Sequence, residues 1–506
     1  MKIAYFLDDT KGLGGAGNLL LQQAVLMSEI HEVVVIVAMD ENGGYCTEYV
    51  RRCEQHDLNY KRIIYRTGHN FKMVMTTDFQ KIMKSTVEIE EFAKKEQIMF
   101  FHSVQLNIAV EYVARKLKIP HLMDIYQLRE EEFRLCPGDI FSHNHLCDSV
   151  LYSDRWKNQL AVRSRCIRPI ALLDNMKKKT AYGKEKIRIL MLGDVCERKN
   201  QMTAIKAVER CLSGNEIELN IAGNAEGQYA KECKAYVKEH DLKQFIVFYG
   251  FVSDIAPLLE KCDCLLCASV DESFPSSMVE ALTYDLTIIS TPVAGVPEIF
   301  IDEMNSFISR DFSIKSIEKS ILKCLEYHES GKIYEIHKNA EKTWRDNFER
   351  ELVKKQINLY YQDILNSNVF GELQPFYEMT KLAEQMKTLL YDIELQDKEW
   401  IYERSLYYAI FIKFLSAEKV YIWGAGNFGK ITFELLKKIC PHMNIEAFID
   451  THKTGKYCGL PIIKPDYLSI DKNSLYCVSF VQGMEDAVCY LKNKGLEFNK
   501  QVWCMP

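Results

Sequence analysis

The segment from Cys264 to Ile299, CLLCASVDESFPSSMVEALTYDLTIISTPVAGVPEI, determines the fold of this 506-residue chain. The apolar run from Cys264 to Ala268 predicts a strand, and a polar turn follows it. The next part has helical spacing and leads into a second apolar run, Thr287 to Ser290, which predicts another strand. A strand, a helix and a second strand in this order are typical of an α/β protein with a parallel sheet.

Two carboxylates, Glu272 and Glu280, bracket the junction between the polar turn and the helix. The backbone N–H groups at the start of a helix have no partner within the helix, so they would face a ligand there. A loop carboxylate and a helix carboxylate two turns later predict a site that holds both ends of a polyhydroxylated ligand carrying phosphate. The residues at this junction are Ser273, Phe274, Pro275 and Ser276.

The pieces E-S-F-P…V-E-A and T-P-V-A-G-V-P-E-I of this segment resemble the signature of the retaining glycosyltransferases of family 4, which have the two-domain GT-B fold. The resemblance covers roughly the first 365 residues and is specific mainly from Ile187 to Phe307. It implies that Glu280 holds the nucleotide ribose and that Glu272 lies at the hydroxyl groups of the donor sugar. It also implies that the N–H groups from Ser273 to Ser276 position the sugar and the phosphate.

Composition and charge exclude several classes of protein. The chain is 47% hydrophobic and 26% charged, which is ordinary for a globular protein, and a net charge of -6 argues against a nucleic-acid binder. The N-terminal sequence MKIAYFLDD lacks a secretory core and cleavage site, and no run reaches about 18 apolar residues. We therefore expect a cytoplasmic protein, either free or peripheral at the inner face of the membrane.

The seventeen cysteines are scattered and odd in number, which favours free thiols over a disulfide framework. Cys262, Cys264 and Cys267 form a C-x-C-x-x-C group, but no second Cys or His cluster is near them in the sequence. The pattern therefore favours buried thiols over a metal site.

The N-terminal part, residues 1–174, is predicted to be a Rossmann-like domain. A strand from Ile3 to Leu7 enters a glycine-rich turn and then a helix that continues to about Met27, an arrangement suited to phosphate contact. The resemblance implies that Gly14 and Gly15 face the donor diphosphate and the acceptor. Four further apolar runs predict strands of a doubly wound sheet: Val33–Ala38, Ile98–Phe101, Pro120–Ile125 and Ser149–Tyr152.

Three polar residues follow predicted strands of this domain, where ligands of such sheets bind. His102 stands where the family often has His-x-His, but Val104 replaces the second histidine. His102 is therefore either a catalytic residue near the donor sugar or a satisfied hydrogen-bonding group. Asp124 and Tyr126 are candidate contacts for acceptor hydroxyls.

The stretch from Arg155 to Arg168 carries five basic residues interleaved with Trp156, Leu160 and Val162. It predicts a basic amphipathic face, which is either solvated or rests on anionic lipid or a lipid-linked acceptor. The solvated face is the simpler interpretation of the two.

The second Rossmann-like domain, residues 187–344, is predicted to bind the donor nucleotide. Gly193 closes its first strand, and the resemblance places Lys199 at the donor pyrophosphate, where a cation would stabilise the departing diphosphate. The family usually has arginine after this glycine, whereas this chain has Asp194, and Arg198 is the candidate replacement. Phe251 lies in a G-F-V segment whose backbone meets the nucleotide base in the family.

Three predictions concern the remaining chain. A helix at about 345–366 should cross back onto the first domain, and residues 367–415 predict a helical linker or an oligomerisation element. Residues 416–506 predict a third, small Rossmann-like domain in which a glycine loop precedes a helix and an acid follows the second strand. This context indicates either a site for NAD(P) or another nucleotide, or a regulatory or structural module. Its candidate residues are Gly424, Gly426, Gly429 and Asp450.

The combined interpretation is a retaining, metal-independent glycosyltransferase with a nucleotide-diphosphate sugar as donor and a glycan or lipid-linked acceptor, in surface polysaccharide biosynthesis. The main alternative is a non-catalytic scaffold or partner subunit that binds a sugar nucleotide within a glycan-assembly complex. A sugar-nucleotide epimerase with the same fold is a third alternative, which the pair Glu272 and Glu280 disfavours. A homo-oligomer is compatible with each of them.

Overall fold

The computed structural model shows an α/β protein with three sheets. The structure describes residues 1–8, 12–66, 77–104, 107–126, 142–160, 162–172, 175–179, 186–367, 369–377, 380, 419–439, 441, 443–479, 484–496 and 501–504. The linker predicted at 367–415 therefore lies largely outside the described residues.

The first sheet is parallel, and its described strands run in the spatial order β3-β2-β1-β4-β5-β6-β7. The change of direction between β1 and β4 makes it a doubly wound sheet, as predicted. Apolar residues of both faces form two buried cores under the flanking helices. The strands are β1 (Lys2–Phe6), β2 (Glu32–Met39), β3 (Asn59–Ile64), β4 (Phe100–Val104), β5 (His121–Asp124), β6 (Asn144–Cys147) and β7 (Arg163–Cys166). The helices are α1 (Gly15–Met27), α2 (Thr47–Gln55), α3 (Thr77–Lys95), α4 (Ile108–Leu117) and α5 (Val150–Leu160).

The strand predicted at Ser149–Tyr152 is wrong, because this stretch is the start of α5. The Ser149 hydroxyl accepts a hydrogen bond from the Tyr152 N–H at 3.3 Å, and Glu298 accepts from the N–H groups of Val150 and Leu151 at 2.9 Å each. These acceptors satisfy the first amides of a helix. The true strand is β6, which ends two residues before Ser149.

The basic stretch from Arg155 to Arg168 is not one amphipathic helix. It is divided between the end of α5 and the edge strand β7. Trp156 is fully buried, and Arg165 on β7 pairs with Asp363. In the part of the chain that the structure describes, no helix is long and apolar enough to cross a membrane.

The second sheet is also parallel, with the described strands in the order β10-β9-β8-β11-β12-β13. The segment from Cys264 to Ile299 forms β11, the next helix and β12, as its pattern predicts. The strands are β8 (Lys186–Leu192), β9 (Glu216–Ala222), β10 (Ile246–Gly250), β11 (Cys264–Cys267), β12 (Thr287–Ser290) and β13 (Phe307–Ile308). The helices are α6 (Gln201–Cys211), α7 (Gln228–Glu239), α8 (Ala256–Lys261), α9 (Ser276–Thr283), α10 (Ile314–Ser330) and α11 (Ile333–Asn347).

Helix α12 (Arg350–Ser367) returns to the first sheet and packs against α1 and β5. Tyr361 of this helix is buried, and its hydroxyl lies 2.5 Å from the Tyr5 hydroxyl and 2.7 Å from His102 Nδ1. The Tyr360 hydroxyl donates to the backbone carbonyls of His145 and Arg163 at 3.0 Å each. Helix α12 is therefore held on the first sheet by buried hydrogen bonds.

The third sheet is mainly parallel, with a short antiparallel hairpin between β16 and β17. Its described strands lie in the order β16-β17-β15-β14-β18-β19. The strands are β14 (Lys419–Trp423), β15 (Asn444–Ile449), β16 (Lys456–Tyr457), β17 (Leu460–Ile463), β18 (Leu475–Val478) and β19 (Val502–Cys504), and the helices are α13 (Asn427–Ile439) and α14 (Met484–Asn493).

Candidate functional site

A cleft of about 800 Å³ lies between the first two sheets, and both contribute lining residues. This volume is in the range of ordinary ligand sites. The residues proposed from the sequence for catalysis and donor binding line it, except His102: Gly14, Gly15, Gly193, Arg198, Lys199, Phe251, Glu272, Ser273, Phe274, Pro275, Ser276 and Glu280.

Glu272 lies in a cationic corner of the cleft. Its Oε1 is 2.6 Å from Arg198 Nη1 and 2.7 Å from Lys199 Nζ, and it also accepts from the Ser269 hydroxyl at 3.2 Å. Burial raises the pKa of Glu272, but Lys199 and Arg198 outweigh this effect and hold the pKa below its usual value. The corner therefore contains an ionised carboxylate with two cations, so a bound anion could share the cations with it.

Glycine makes room for Lys199 behind this corner. Gly193 follows β8 with φ +120°, and a Cβ there would lie 3.0 Å from Lys199 Cε. A Cβ on Gly223, after β9, would lie 2.0 Å from the Gly193 carbonyl oxygen. The two strand ends therefore approach closely because Gly223 lacks a side chain, and Gly193 leaves room for Lys199. A short 3₁₀ turn, Glu197–Lys199, then brings Arg198 and Lys199 to the cleft.

Glu280 lines the cleft from the second turn of α9. Its surroundings are largely protein, and burial raises its pKa to about 7, opposed by Arg52 and Lys199. Part of its surface still faces the open cleft. Its ionisation therefore depends on what fills the cleft, since water and cations there favour the charged form.

Two helix N-termini open onto the cleft from opposite sides. Helix α9 follows Pro275 and helix α1 follows Gly14, and no side chain of the described residues caps either one. A Cβ on Gly15 would meet no heavy atom within 4 Å, so the space beside this residue is open. Uncapped helix starts carry partial positive charge, which suits a diphosphate.

Residues 273 and 274 connect the two units. The Ser273 hydroxyl donates to Asp148 Oδ1 and lies 3.3 Å from the Ser149 hydroxyl, and both of these residues follow β6 of the first sheet. Phe274 is 3% exposed and packs against Phe300, while the Arg168 guanidinium lies 5.2 Å from its ring centre. The loop before α9 therefore depends on the first unit for its position.

His102 does not reach the cleft, and its surroundings are those of a satisfied hydrogen-bonding group. It is fully buried, with Nδ1 2.7 Å from the Tyr361 hydroxyl and Nε2 2.7 Å from Asp124 Oδ1. Asp124 is fully buried too, and its Oδ2 accepts from Gln23 at 2.9 Å and from the Tyr126 hydroxyl at 2.6 Å. Of the three polar residues predicted at these strand ends, only Tyr126 lines the cleft.

Sequence reasoning missed several cleft residues that the first sheet supplies. Asp8 follows β1 and accepts from the Tyr49 hydroxyl at 2.9 Å, while Tyr49 in turn accepts from the Gly14 N–H at 3.2 Å. Asp148 follows β6, and burial raises its pKa to about 7, partly offset by the Ser273 hydroxyl. Asp8 and Asp148 could have been predicted from the sequence, because each is an acid directly after an apolar run. Arg51 and Arg52 of α2 gave no such signal.

The backbone of the glycine loop in the third sheet is hydrogen-bonded by side chains of the same unit. Asp450 Oδ2 accepts from the Ala425 N–H at 2.9 Å, and Oδ1 accepts from the N–H groups of His452 and Lys453 at 2.8 Å each. Lys453 Nζ donates to the Ala425 carbonyl, and the Tyr457 hydroxyl donates to the Gly426 carbonyl at 3.1 Å. Both oxygens of the acid predicted to bind a ribose are thus already hydrogen-bonded to backbone.

Comparisons with known proteins agree with this architecture. Residues 174–343 match the model of the family described as glycosyl transferases group 1. The chain has the GT-B fold. It aligns over 72% of its length, with 17% identity and a TM-score of 0.60, to the whole of Alr3699/HepE from Anabaena, solved with UDP and glucose. A glycosyltransferase from Rickettsia africae covers the same share of the chain with a TM-score of 0.58 and 15% identity, over 98% of its own length.

Curated relatives match part of the chain. The GPI3 subunit of phosphatidylinositol N-acetylglucosaminyltransferase from Saccharomyces cerevisiae is 25% identical over 227 residues, which are 40% of this chain and 49% of the relative. A Campylobacter jejuni 4-alpha-N-acetylgalactosaminyltransferase, whose name includes diphospho-undecaprenol, is 25% identical over 173 residues, 34% of this chain and 46% of the relative. The chain thus spans about half the length of these relatives.

Proposed function

We propose that this chain is a retaining glycosyltransferase that moves a sugar from a nucleotide-diphosphate sugar to a glycan or lipid-linked acceptor. One observation carries the proposal: the pair of cations on Glu272 shares an interdomain cleft with Glu280 and the uncapped start of α9. The two carboxylates suit the hydroxyl groups of a sugar and a ribose, and the cations and the helix start suit a diphosphate. The match of residues 174–343 to glycosyl transferases group 1 supports transfer over other chemistry.

The donor would lie along the second sheet. Glu280 would accept hydrogen bonds from the ribose hydroxyls, and the diphosphate would lie between Lys199 and the start of α9. Phe251 lines the cleft and is 61% exposed, so the base would meet the backbone and open surface there. Glu272 would then receive the hydroxyl groups of the sugar.

The reaction would break the bond between the anomeric carbon and the phosphate oxygen and form a bond to the acceptor oxygen on the same face of the sugar. Negative charge would develop on the leaving diphosphate, next to Lys199 and Arg198, which would stabilise it in the transition state. The leaving phosphate oxygen would take the proton of the acceptor hydroxyl. Because fixed cations supply the charge stabilisation, transfer would proceed without a divalent ion, and full activity in excess EDTA would test this point.

The acceptor would approach from the first sheet, beside Gly15 and Tyr126, which line that side of the cleft. The names of two similar proteins include a lipid: phosphatidylinositol in one and diphospho-undecaprenol in the other. These names support a lipid-linked acceptor. A lipid-linked acceptor would place the protein at the inner face of the membrane, as a peripheral enzyme of surface polysaccharide biosynthesis.

A donor-cleavage assay tests the proposal. The full chain is incubated with radiolabelled nucleotide sugars, without acceptor and with lipid extracts, and released and transferred sugar are separated. We expect one donor to be cleaved, and Glu272→Gln to reduce cleavage at least about 100-fold, because one charged contact to the transition state is lost. The control is Glu326→Gln on the exposed face of α10. The anomeric configuration of the product, read by NMR, tests retention, and inversion would contradict it.

A non-catalytic scaffold is the second candidate, and Asp194 is the observation that favours it. This residue lines the cleft where the resemblance leads us to expect an arginine, and its Oδ1 accepts from the Asn224 N–H at 3.2 Å. A carboxylate at that position opposes a diphosphate. Donor binding without cleavage under every acceptor condition would establish the scaffold, and Asp194→Arg should then strengthen donor binding.

A further inference from the structure

We propose that Cys264, Cys324 and His328 form a Zn²⁺ site inside the second unit. The site lies on the face of the second sheet that is covered by α6 and α10. Helix α9, which lines the cleft, packs on the opposite face. Of the C-x-C-x-x-C group in the sequence the site uses only Cys264, because Cys262 and Cys267 belong to the core of that opposite face. The proposal is independent of glycosyl transfer at the cleft.

The fold brings the three side chains together from distant parts of the chain. Cys264 is the first residue of β11, and Cys324 and His328 are one helical turn apart on α10, so they share a face. Cys264 Sγ lies 3.7 Å from Cys324 Sγ and 3.8 Å from His328 Nε2. The three donor atoms all lie within 4.8 Å of one another.

These separations also suit three ligands of one ion. The 3.8 Å contact between Cys264 Sγ and His328 Nε2 is at the long end for a hydrogen bond that involves sulfur, and the three residues are only 0%, 1% and 4% exposed. In a tetrahedral zinc site with Zn–S of about 2.3 Å and Zn–N of about 2.0 Å, two sulfurs are about 3.8 Å apart and a sulfur and a nitrogen about 3.5 Å apart. The two separations measured from Cys264 Sγ are within a few tenths of an ångström of these values.

Charge selects zinc over copper(I) in so buried a place. Two thiolates, a neutral imidazole and Zn²⁺ together carry no net charge, whereas two thiolates with Cu⁺ leave one negative charge without compensation. On binding, each thiol would release its proton to solvent and His328 would offer the lone pair of Nε2.

Thr287 offers the fourth ligand. Its Oγ1 is 3.5 Å from His328 Nε2 and 3.0 Å from His337 Nε2, and His337 Nδ1 is 2.7 Å from Asp285 Oδ1. With Asp285 as acceptor, His337 carries its proton on Nδ1, so its Nε2 accepts the hydroxyl proton of Thr287. The Thr287 oxygen then keeps lone pairs on the side away from His337, and it lies 3.5 Å from His328 Nε2. Such outer hydrogen bonds are the usual support of metal ligands.

The test is the metal content of untagged, full-length protein purified without added metal. Plasma mass spectrometry should find one zinc per chain, and native mass spectrometry should find the folded chain heavier than the unfolded chain by one zinc less two protons. Cys324→Ser and His328→Gln should each reduce zinc at least tenfold. Cys233→Ser, which changes a fully buried thiol of the same core, is the matched control and should retain zinc.

A second measurement keeps the proposal testable if the variants fail to fold. Wild-type protein is stripped with a chelator and titrated with Co²⁺, which should give thiolate-to-cobalt charge-transfer absorption at one equivalent. Zinc below a tenth of an equivalent together with no charge-transfer band would overturn the proposal. Copper in place of zinc, or zinc retained in both Cys324→Ser and His328→Gln, would overturn it as well.

Discussion

Two glycine turns in this molecule begin in the same way and end differently. Gly193 after β8 and Gly424 after β14 both have φ +120°, and each donates its N–H to the carbonyl at the end of the neighbouring strand, Ala222 at 2.9 Å and Ile449 at 2.7 Å. After Gly193 the chain brings Arg198 and Lys199 to an open cleft. After Gly424, Asp450 and Lys453 of the same unit bond to the backbone of the loop.

The comparison shows that a strand–glycine–helix turn fixes only the backbone conformation. The neighbouring side chains decide whether the turn can bind a ligand. In the second unit the acid near the glycine turn, Glu272, is paired with cations that a diphosphate could share. In the third unit the acid, Asp450, already accepts hydrogen bonds from three backbone N–H groups. We therefore propose that the first turn binds a ligand and that the second has a structural role, and the following predictions test that division.

The largest effect is expected from reversing the charge at Lys199. Lys199→Glu should abolish sugar transfer, since removal of a single transition-state contact already costs about 100- to 1000-fold in kcat. The measurement is steady-state cleavage of the donor. Lys453→Glu, at the corresponding turn of the third unit, is the control and should leave cleavage unchanged. Equal losses in both variants would break the proposed division of roles.

A smaller effect is expected at Glu280. Glu280→Gln keeps the shape but loses a charged acceptor for ribose hydroxyls, which should weaken donor binding by about 10- to 100-fold, or about 1.5–3 kcal/mol. Isothermal titration calorimetry at pH 8 measures this. In the wild type, binding should weaken as the pH falls through 7, because burial raises the pKa of Glu280 to about 7 and protonation removes the charge. A pH dependence that Glu280→Gln retains would contradict the assignment.

Asp450→Asn should affect stability and leave transfer unchanged. The substitution weakens an acceptor of three backbone N–H groups, so it should lower the free energy of unfolding of the third unit by about 1–3 kcal/mol. Hydrogen exchange at Ala425 and Lys453 measures local opening of the loop, and donor cleavage measures function. Loss of cleavage with intact hydrogen-exchange protection would give the third unit a direct part in the reaction.

The smallest effect is a change in the pH dependence of stability at Asp148. Burial raises its pKa from 3.8 to about 7, so the folded state prefers the protonated carboxyl. Its contribution to stability is therefore complete below about pH 4 and is lost as the pH rises through 7. Asp148→Asn should raise the melting temperature at pH 8 relative to the wild type more than it does at pH 4, by thermal denaturation. The same difference at both pH values would contradict a raised pKa at Asp148.

The parts of the site that one segment encodes could be predicted from the sequence. Glu272, Glu280 and the start of α9 lie within nine residues, so a short loop and one helix keep them close together. Lys199 and Phe251 required the resemblance, since they reach the cleft from other strand ends. The α/β class followed from alternating apolar runs and helical patterns.

What could not be predicted depends on residues far apart in the chain. His102 is satisfied by Tyr361, which is 259 residues away, so its burial follows from the return of α12 to the first sheet. The first amides of α5 donate to Glu298, which is about 150 residues later in the chain. The local sequence does not contain this acceptor, so the apolar run Val150–Tyr152 by itself predicts part of a strand. The zinc proposal likewise depends on Cys264 meeting α10, a contact that no local pattern encodes.

The most direct test of the central claim is a thermal-shift panel on the wild type, Glu280→Gln and Asp450→Asn. The ligands are UDP-, GDP-, ADP- and CDP-sugars, with NAD(H) and NADP(H) alongside. A ligand that binds the folded state raises its melting temperature by mass action. We expect one class of sugar nucleotide to raise it in the wild type and in Asp450→Asn but not in Glu280→Gln. A shift with NAD(H) alone, or with no sugar nucleotide, would contradict the assignment of the cleft as the donor site.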